Sequence, residues 1–398
     1  MDFQAYWLLV IPVFFGLGWL AARVDIRHLL TESRALPASY FKGLNFLLNE
    51  QTDKAIESFI EVAQTDQQTV ELQFALGGLF RRRGEVDRAT RMHQSLLERT
   101  DLSAEQKSQA LYELAQDYLK AGLLDRAESL FLDLKKVISF SEVATRSLLD
   151  IYVTEKEWNK AIEISKELES IGTEIGSKEI ANFYCELAVI EHSRSNFDAA
   201  KDLTQKALTV NKKCVRANIL QGQWARQNGQ LDEAVHLWLL IENQSPDYLF
   251  LIADSFIDTM KQLNRTDESI QLLRGWTERF PTLDLLSVLF KTILECRGPE
   301  AAYQVIKDEF KRNPSLGSLD KYLEAQLVVV SPEQRSDLQM IRDLVHQHNQ
   351  KTSYYQCTSC GFKAKTYFWH CPACGGWDTY PPKRNSDSGN QVQPRLSM

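Results

Sequence analysis

The sequence predicts an all-α fold in which a membrane-crossing helix carries a solenoid of helical hairpins that ends in a small four-cysteine module. Three observations predict it: an uncharged apolar run near the start, alanines returning at nearly constant intervals through the middle, and two paired-cysteine motifs near the end. The 398 residues, 44% hydrophobic and 25% charged with only 18 Gly and 11 Pro, describe an ordered chain too long for one ordinary core. A net charge of -7 disfavours a nucleic-acid binder, which needs clustered Lys and Arg to displace counterions. A protein partner fits better.

The apolar run is "AYWLLVIPVFFGLGWLAA", Ala5 to Ala22. As a helix it reaches about 27 Å, enough to cross a bilayer core. A secretory signal would begin with basic residues, whereas Met1, Asp2, Phe3 and Gln4 precede the run and no A-x-A cleavage site follows it. Residues 1–22 therefore read as an uncleaved anchor, with Trp7 and Trp19 at its two interfaces. Arg23, Arg27 and Arg34 follow in a juxtamembrane linker, residues 23–38, and place the bulk of the chain in the cytoplasm by the positive-inside rule. Pro12, Gly16 and Gly18 are ordinary in such helices.

Ala55, Ala89, Ala127, Ala161, Ala200 and Ala234 are separated by 34, 38, 34, 39 and 34 residues, the tetratricopeptide period. In "LGGLFRRRGEVDRATRMHQSLL", Gly77 and Phe80 belong to a first helix, Gly84 to the turn, and Ala89 to the point where a second helix crosses the first. "LAQDYLKAGLLDRAESLFLDL" repeats the plan with Ala115, Tyr118, Gly122, Ala127 and Phe131. Ser269 and Ala302 take the alanine place in later units, and Pro246, Pro281 and Pro314 each fall 12 residues beyond it, where a helix must stop. The array is assigned to residues 39–350, about eight hairpins and a final irregular pair, with a concave surface for a protein partner.

Arg81, Arg82, Arg83, Arg88 and Arg91 form the densest basic cluster, read as a solvated turn and helix face. His93, His192 and His236 read as packing or surface residues, and Trp158, Trp224, Trp238 and Trp276 as gap fillers between helices. The array has no G-x-x-x-x-G-K-[ST], H-E-x-x-H or G-x-S-x-G motif, so an enzyme is not favoured.

In "YYQCTSCGFKAKTYFWHCPACGGWDTY" two C-x2-C pairs, Cys357/Cys360 and Cys371/Cys374, are separated by ten residues. Such knuckles aim four thiolates at the corners of a tetrahedron, which suits one zinc or iron ion. Gly361 and Gly375 follow each second cysteine, where a positive φ lets N–H groups point at sulfur. His370 would crowd a complete four-thiolate site and stands outside it. Tyr355, Phe362, Tyr367, Phe368, Trp369 and Trp377 read as an aromatic shell around a module, residues 354–381, too short to fold on apolar burial alone. Its expected role is a structural clip that docks the C-terminus onto the array. Cys185, Cys214 and Cys296 lie singly in helical sequence, as buried thiols in a reducing compartment do. Residues 382–398 are polar and predicted to be disordered.

"CTSCGF" and "CPACGG" resemble the knuckles of rubredoxin, an iron electron carrier, although the insert between them is much shorter here. The ordered combination of anchor, array and knuckles resembles the lipopolysaccharide assembly protein B family of Gram-negative bacteria. The segments "GLNFLLNEQTDKAIESF", "LFRRRGEVDRATR", "YLKAGLLDRAE", "FYCELA" and "YFWHCPACGGW" carry the resemblance. It implies a non-enzymatic, single-pass inner-membrane adaptor. Its partners would be a membrane-anchored ATP-dependent metalloprotease and the lipid A deacetylase which that protease degrades, so that lipopolysaccharide synthesis is limited. Other lipopolysaccharide biosynthesis or export proteins are implied as further partners. The resemblance carries the metal-ligand role to Cys357, Cys360, Cys371 and Cys374. The alternatives are a membrane-tethered rubredoxin-type electron carrier and a general chaperone adaptor.

Overall fold

The computed structural model describes residues 38–49, 51–65, 70–173, 176–352 and 355–381. The expected anchor and the expected C-terminal tail lie outside the described residues, as does nearly all of the linker. Among the described residues, no helix is long and apolar enough to cross a membrane. The described residues fall into two compact units, divided between Thr154 and Glu155.

In the first unit, α1 (Ala38–Leu48), α2 (Thr52–Thr65), α3 (Val70–Arg83), α4 (Val86–Leu97), α5 (Ala104–Lys120) and α6 (Leu124–Leu134) pack in consecutive pairs, followed by α7 (Ile138–Glu155). The turns follow from local chemistry. Gly84, at φ 88°, takes the left-handed conformation that ends α3. Ser103 opens α5 with a capping box, its hydroxyl accepting from the Gln106 N–H while the Gln106 side chain returns to the Ser103 N–H. In two of these pairs the contact is a glycine against a ring sixteen positions later. A Cβ on Gly43 would stand 2.7 Å from the Phe59 ring, and one on Gly77 would collide with the His93 ring. Ala89 and Ala127 are fully buried in the second helices of their pairs, where the repeat pattern places them.

The arginine cluster disperses into pairs. Arg83 reaches Asp53 at 3.3 Å and Glu85 at 2.9 Å, Arg88 lies 4.0 Å above the Phe80 ring, and the Arg91 Nε donates to the Asp87 carbonyl. Arg81 instead turns between helices, to Glu113 at 2.6 Å and Asp117 at 2.8 Å. Asp117 is fully buried and also hydrogen-bonds the buried His93. One carboxylate thus ties α3, α4 and α5 together. Asp117→Ala would strip the buried carboxylate from both partners, an expected loss of about 3 kcal/mol in urea unfolding. A change below about 1 kcal/mol, the worth of an ordinary hydrogen bond, would remove the network from the list of stabilisers.

The second unit contains α8 (Trp158–Ser170), α9 (Ser177–Ser193), α10 (Phe197–Val210), α11 (Val215–Gln227), α12 (Leu231–Gln244), a 3₁₀ turn (Pro246–Leu251), α13 (Ala253–Gln262), α14 (Thr266–Arg279), α15 (Leu283–Arg297), α16 (Pro299–Arg312), α17 (Leu316–Val329) and α18 (Pro332–Thr352). Pairs α9/α10, α11/α12, α13/α14, α15/α16 and α17/α18 continue the same packing. Ala161, Ala200, Ala234, Ser269 and Ala302 are all fully buried. Gly222 makes room for Trp238, which with Trp276 is among the largest fully buried side chains. α12, α14 and α16 each end within two residues before Pro246, Pro281 and Pro314. Two of the three single thiols are buried as expected and the third is not. Cys185 in α9 and Cys214 just before α11 are buried with their sulfurs 3.8 Å apart, whereas Cys296 is exposed. A contact across 29 residues follows from helix stacking and leaves no local trace.

Candidate metal centre and its docking face

After α18 the chain forms a short antiparallel ladder of β1 (Tyr355–Gln356) and β2 (Lys363–Ala364), with Tyr355 opposite Ala364. The first knuckle sits in the turn between these strands. The second sits between His370 and Trp377, which form an isolated antiparallel bridge. Gly361 and Gly375 have φ of 78° and 69°, as the spacing predicts. Their N–H groups, however, bond to the Cys357 and Cys371 carbonyls at 2.9 Å and close the turns. The N–H groups directed at sulfur come from Ser359 and Cys360 toward Cys357, from Ala373 and Cys374 toward Cys371, and from Phe362 toward Cys360.

The four Sγ atoms all lie within 4.8 Å of one another. Cys357 and Cys374 are 3.7 Å apart, and Cys360 and Cys371 3.8 Å. A tetrahedron with metal–sulfur bonds of about 2.3 Å has edges of about 3.8 Å, so the cage has the size of one tetrathiolate ion. The thiols differ in how readily they ionise. Burial opposes ionisation of Cys371, but the Tyr380 hydroxyl at 3.3 Å and the two N–H groups outweigh it and bring the thiol to about 6. Cys357 is lowered in the same way, against burial, by Thr379 and its own pair of N–H groups. Cys360 goes the other way: the Phe362 N–H favours its thiolate, yet desolvation and the other three sulfurs push it to about 12. Four thiolates at this spacing repel unless a cation stands among them.

The first cysteine of each knuckle is buried and the second exposed. Tyr380, whose fully buried hydroxyl touches Cys371, and Thr379, 3.2 Å from the Cys357 sulfur, are contacts that the sequence analysis did not single out. His370 stands outside the four-sulfur group and stacks on Trp377 at 4.4 Å.

The aromatic residues do not form a closed shell around the sulfurs. Phe362 and Phe368 are exposed, while Tyr355, Tyr367 and Trp369 face the 3₁₀ turn and Trp377 faces α8 and α9. Trp377 meets Trp158 of α8 at 6.0 Å and Phe183 of α9 at 5.9 Å, both edge to face. Trp369 stacks on Tyr248 of the 3₁₀ turn at 5.5 Å, and Tyr355 on Phe250 at 5.9 Å. The buried Arg216 of α11 holds its guanidinium 5.6 Å from the Trp369 ring and 5.8 Å from Trp377, and donates to Glu186 at 2.8 Å. The Asn182 amide donates to Asp378 at 3.2 Å, and the Tyr355 hydroxyl donates to Asp284 of α15 at 3.2 Å. Burial raises the Asp378 carboxyl above its ordinary value, against the pull of Asn182, Lys178 and Arg216. The same cause pushes the Tyr248 phenol up to about 12, so it stays neutral in the contact.

Residues 355–382 match the family described as a rubredoxin metal binding domain. Lipopolysaccharide assembly protein B of Escherichia coli (strain K12) is 34% identical over 382 residues, an alignment that covers 95% of this chain and 98% of that protein. Its namesake in Haemophilus influenzae (strain ATCC 51907 / DSM 11121 / KW20 / Rd) is 31% identical with the same coverage. Among solved structures, the crystal structure of MamA is 20% identical and covers 43% of this chain and 95% of its own, at a TM-score of 0.32. A tetratricopeptide repeat protein from Parabacteroides merdae is 16% identical and covers 77% of this chain and all of its own, at a TM-score of 0.26. With near full-length relatives above 30% identity on one side and the four-sulfur module on the other, the chain belongs to the lipopolysaccharide assembly protein B family.

Proposed function

We propose that this protein is a non-enzymatic inner-membrane adaptor that regulates lipopolysaccharide assembly. In this reading it brings the lipid A deacetylase to a membrane-anchored ATP-dependent metalloprotease and so promotes the deacetylase's degradation. Residues 1–22 would be the anchor, 23–38 the linker, 39–350 the partner-binding array, 354–381 the metal module and 382–398 a tail. Other lipopolysaccharide biosynthesis or export proteins would share the array. Tethering supports the reading physically, because confinement to the cytoplasmic face of the membrane raises effective concentration against a membrane-bound protease.

Cys357, Cys360, Cys371 and Cys374 would hold one iron or zinc ion. When bound, that ion neutralises the thiolates and closes the fold of the module. The chain's own residues do the rest: Thr379, Tyr380 and the knuckle N–H groups orient the sulfurs, and Trp369, Trp377 and Tyr355 hold the module on the array. The observation that carries the clip is this docked aromatic face.

The test is deacetylase turnover in cells lacking the chain. Full-length protein should restore rapid turnover, and a chain without residues 1–22 should restore less at equal expression. A C-terminal reporter fusion should be active only on the cytoplasmic side. A periplasmic reporter signal would reverse the orientation, and unchanged turnover with and without the protein would exclude the adaptor role.

A further inference from the structure

Two sulfurs outside the metal centre lie in contact within the second unit. Cys185 of α9 and Cys214 are 3.8 Å apart, sulfur to sulfur, and both are buried. Ala181, Ala207 and Ala217 close around them. Among the described residues, the four-cysteine cage is the one group of three or more ligands that could hold a metal, so this pair offers too few for a second ion. The two thiols are not equivalent. Cys214 caps the N-terminus of α11, directly after the exposed Lys212 and Lys213, and keeps 4% of its surface accessible, whereas Cys185 keeps none. The Cys185 S–H donates to Cys214, the Ala217 N–H donates to it as well, and the two hold the Cys214 thiol below its ordinary value against burial. Cys185, the donor in that contact and the more deeply buried sulfur, is raised well above its own.

We propose that Cys185 and Cys214 are a redox site that hydrogen peroxide closes into a reversible disulfide, with Cys214 as the attacking sulfur and Cys185 as the resolving one. A helix N-terminus and neighbouring donors favour the thiolate that such chemistry needs. The Cys214 thiolate attacks one peroxide oxygen, the O–O bond breaks, and a sulfenic acid forms while the departing hydroxide takes up a proton as water. The Cys185 sulfur then attacks the sulfenic sulfur, the S–OH bond breaks, and the hydroxide leaves with the Cys185 proton as a second water. Two thiols and one peroxide thus become one disulfide and two waters, the sulfurs giving up the two electrons that the peroxide accepts. A dithiol reductant reverses the step by exchange and leaves as its own disulfide. Closure has a consequence because of where the pair sits. Asn182, three residues before Cys185, donates to Asp378, and Arg216, two residues after Cys214, lies against Trp369 and Trp377. A bond from Cys185 to Cys214 therefore staples together the two stretches of chain that hold the metal module. This goes beyond the adaptor reading and needs no partner.

The test treats the reduced, metal-loaded full-length chain in detergent micelles with hydrogen peroxide, blocks remaining thiols with iodoacetamide and maps the digest by mass spectrometry. A peptide pair joining Cys185 to Cys214, two hydrogens lighter than its thiol parts, should appear and should vanish after dithiothreitol. With dimedone present, Cys214 in the C185S chain should be labelled at least about tenfold faster than Cys185 in the C214S chain, since a lowered thiol and a raised one differ in thiolate content. On closure, hydrogen exchange at α9 and α11 should slow about tenfold while metal content stays at one per chain, because the cross-link restricts their opening. Both cysteines remaining thiols while the exposed Cys296 is oxidised would overturn the site, and equal dimedone labelling would overturn the assignment of attacking and resolving sulfurs. Unchanged exchange in the cross-linked chain would overturn the staple. The wild-type cross-link requires no substitution, so it decides the matter whether or not a serine loosens the core.

Discussion

A chain carrying C357S and C360S together is expected to lose its metal and release residues 355–381 from the array, while nearly all helical signal in circular dichroism survives. The two strands of the module are two residues each, and a unit of this size buries too little apolar surface to fold alone. Metal binding in comparable peptides is worth roughly 10–16 kcal/mol, so its loss exceeds anything the aromatic contacts can replace. The array's helices draw their stability from adjacent pairs and should remain. Hydrogen exchange is the direct readout: protection should fall across 355–381 and also at α9 and α11, which lose Trp377 and Trp369. Unchanged protection would show that the module folds without its ion. Reconstitution with zinc or with iron should restore protection and deacetylase turnover equally, because the two ions accept similar thiolate geometry. Restoration by redox-cycling iron alone would replace the clip with an electron carrier.

The second large effect separates docking from metal binding. Trp377→Ala removes the ring that meets Trp158 and Phe183 and that lies under Arg216, at an expected cost of about 3–5 kcal/mol to the docked arrangement. The sulfurs are contacted instead by Thr379, Tyr380 and backbone N–H groups, so the ion should stay at one per chain. Phe362→Ala, at an exposed ring of the same module, should change stability by less than about 0.5 kcal/mol. If W377A releases the module with metal retained, and deacetylase turnover fails as in the cysteine variant, docking is the functional state. Full turnover from a released module would assign the ion a purely local role.

The parts that sequence made legible are those written as periods or spacings. Ala55 to Ala234 recur because each second helix must approach its partner closely at one point, and all six are fully buried there. The two C-x2-C pairs declare a cage because the chelate turn is local. The docking face was not legible. Arg216, Asn182 and Asp284 look like ordinary solvent-facing residues in their own helices, and only the return of the chain from beyond α18 gives them partners. The same return explains why the aromatic residues of the module form a contact face and not a shell: composition reveals that rings are present but not which side of a small fold they occupy. Cys185 and Cys214 were read as separate for a related reason, since their meeting depends on the stacking of α9 against α11.

The bond between Asn182 and Asp378 joins positions 196 residues apart, which sets a timetable for synthesis. At about 5–20 residues per second, some 10–40 s pass between the emergence of α9 and the arrival of the segment that covers it. Through that interval Trp158 and Phe183 lack the module's rings, Tyr248 and Phe250 join them once they are made, and all four are covered only when the last knuckle leaves the ribosome and acquires its ion. Metal scarcity would therefore act first on newly made chains, which keep this aromatic strip open to chaperones and to one another, whereas chains completed earlier hold theirs closed.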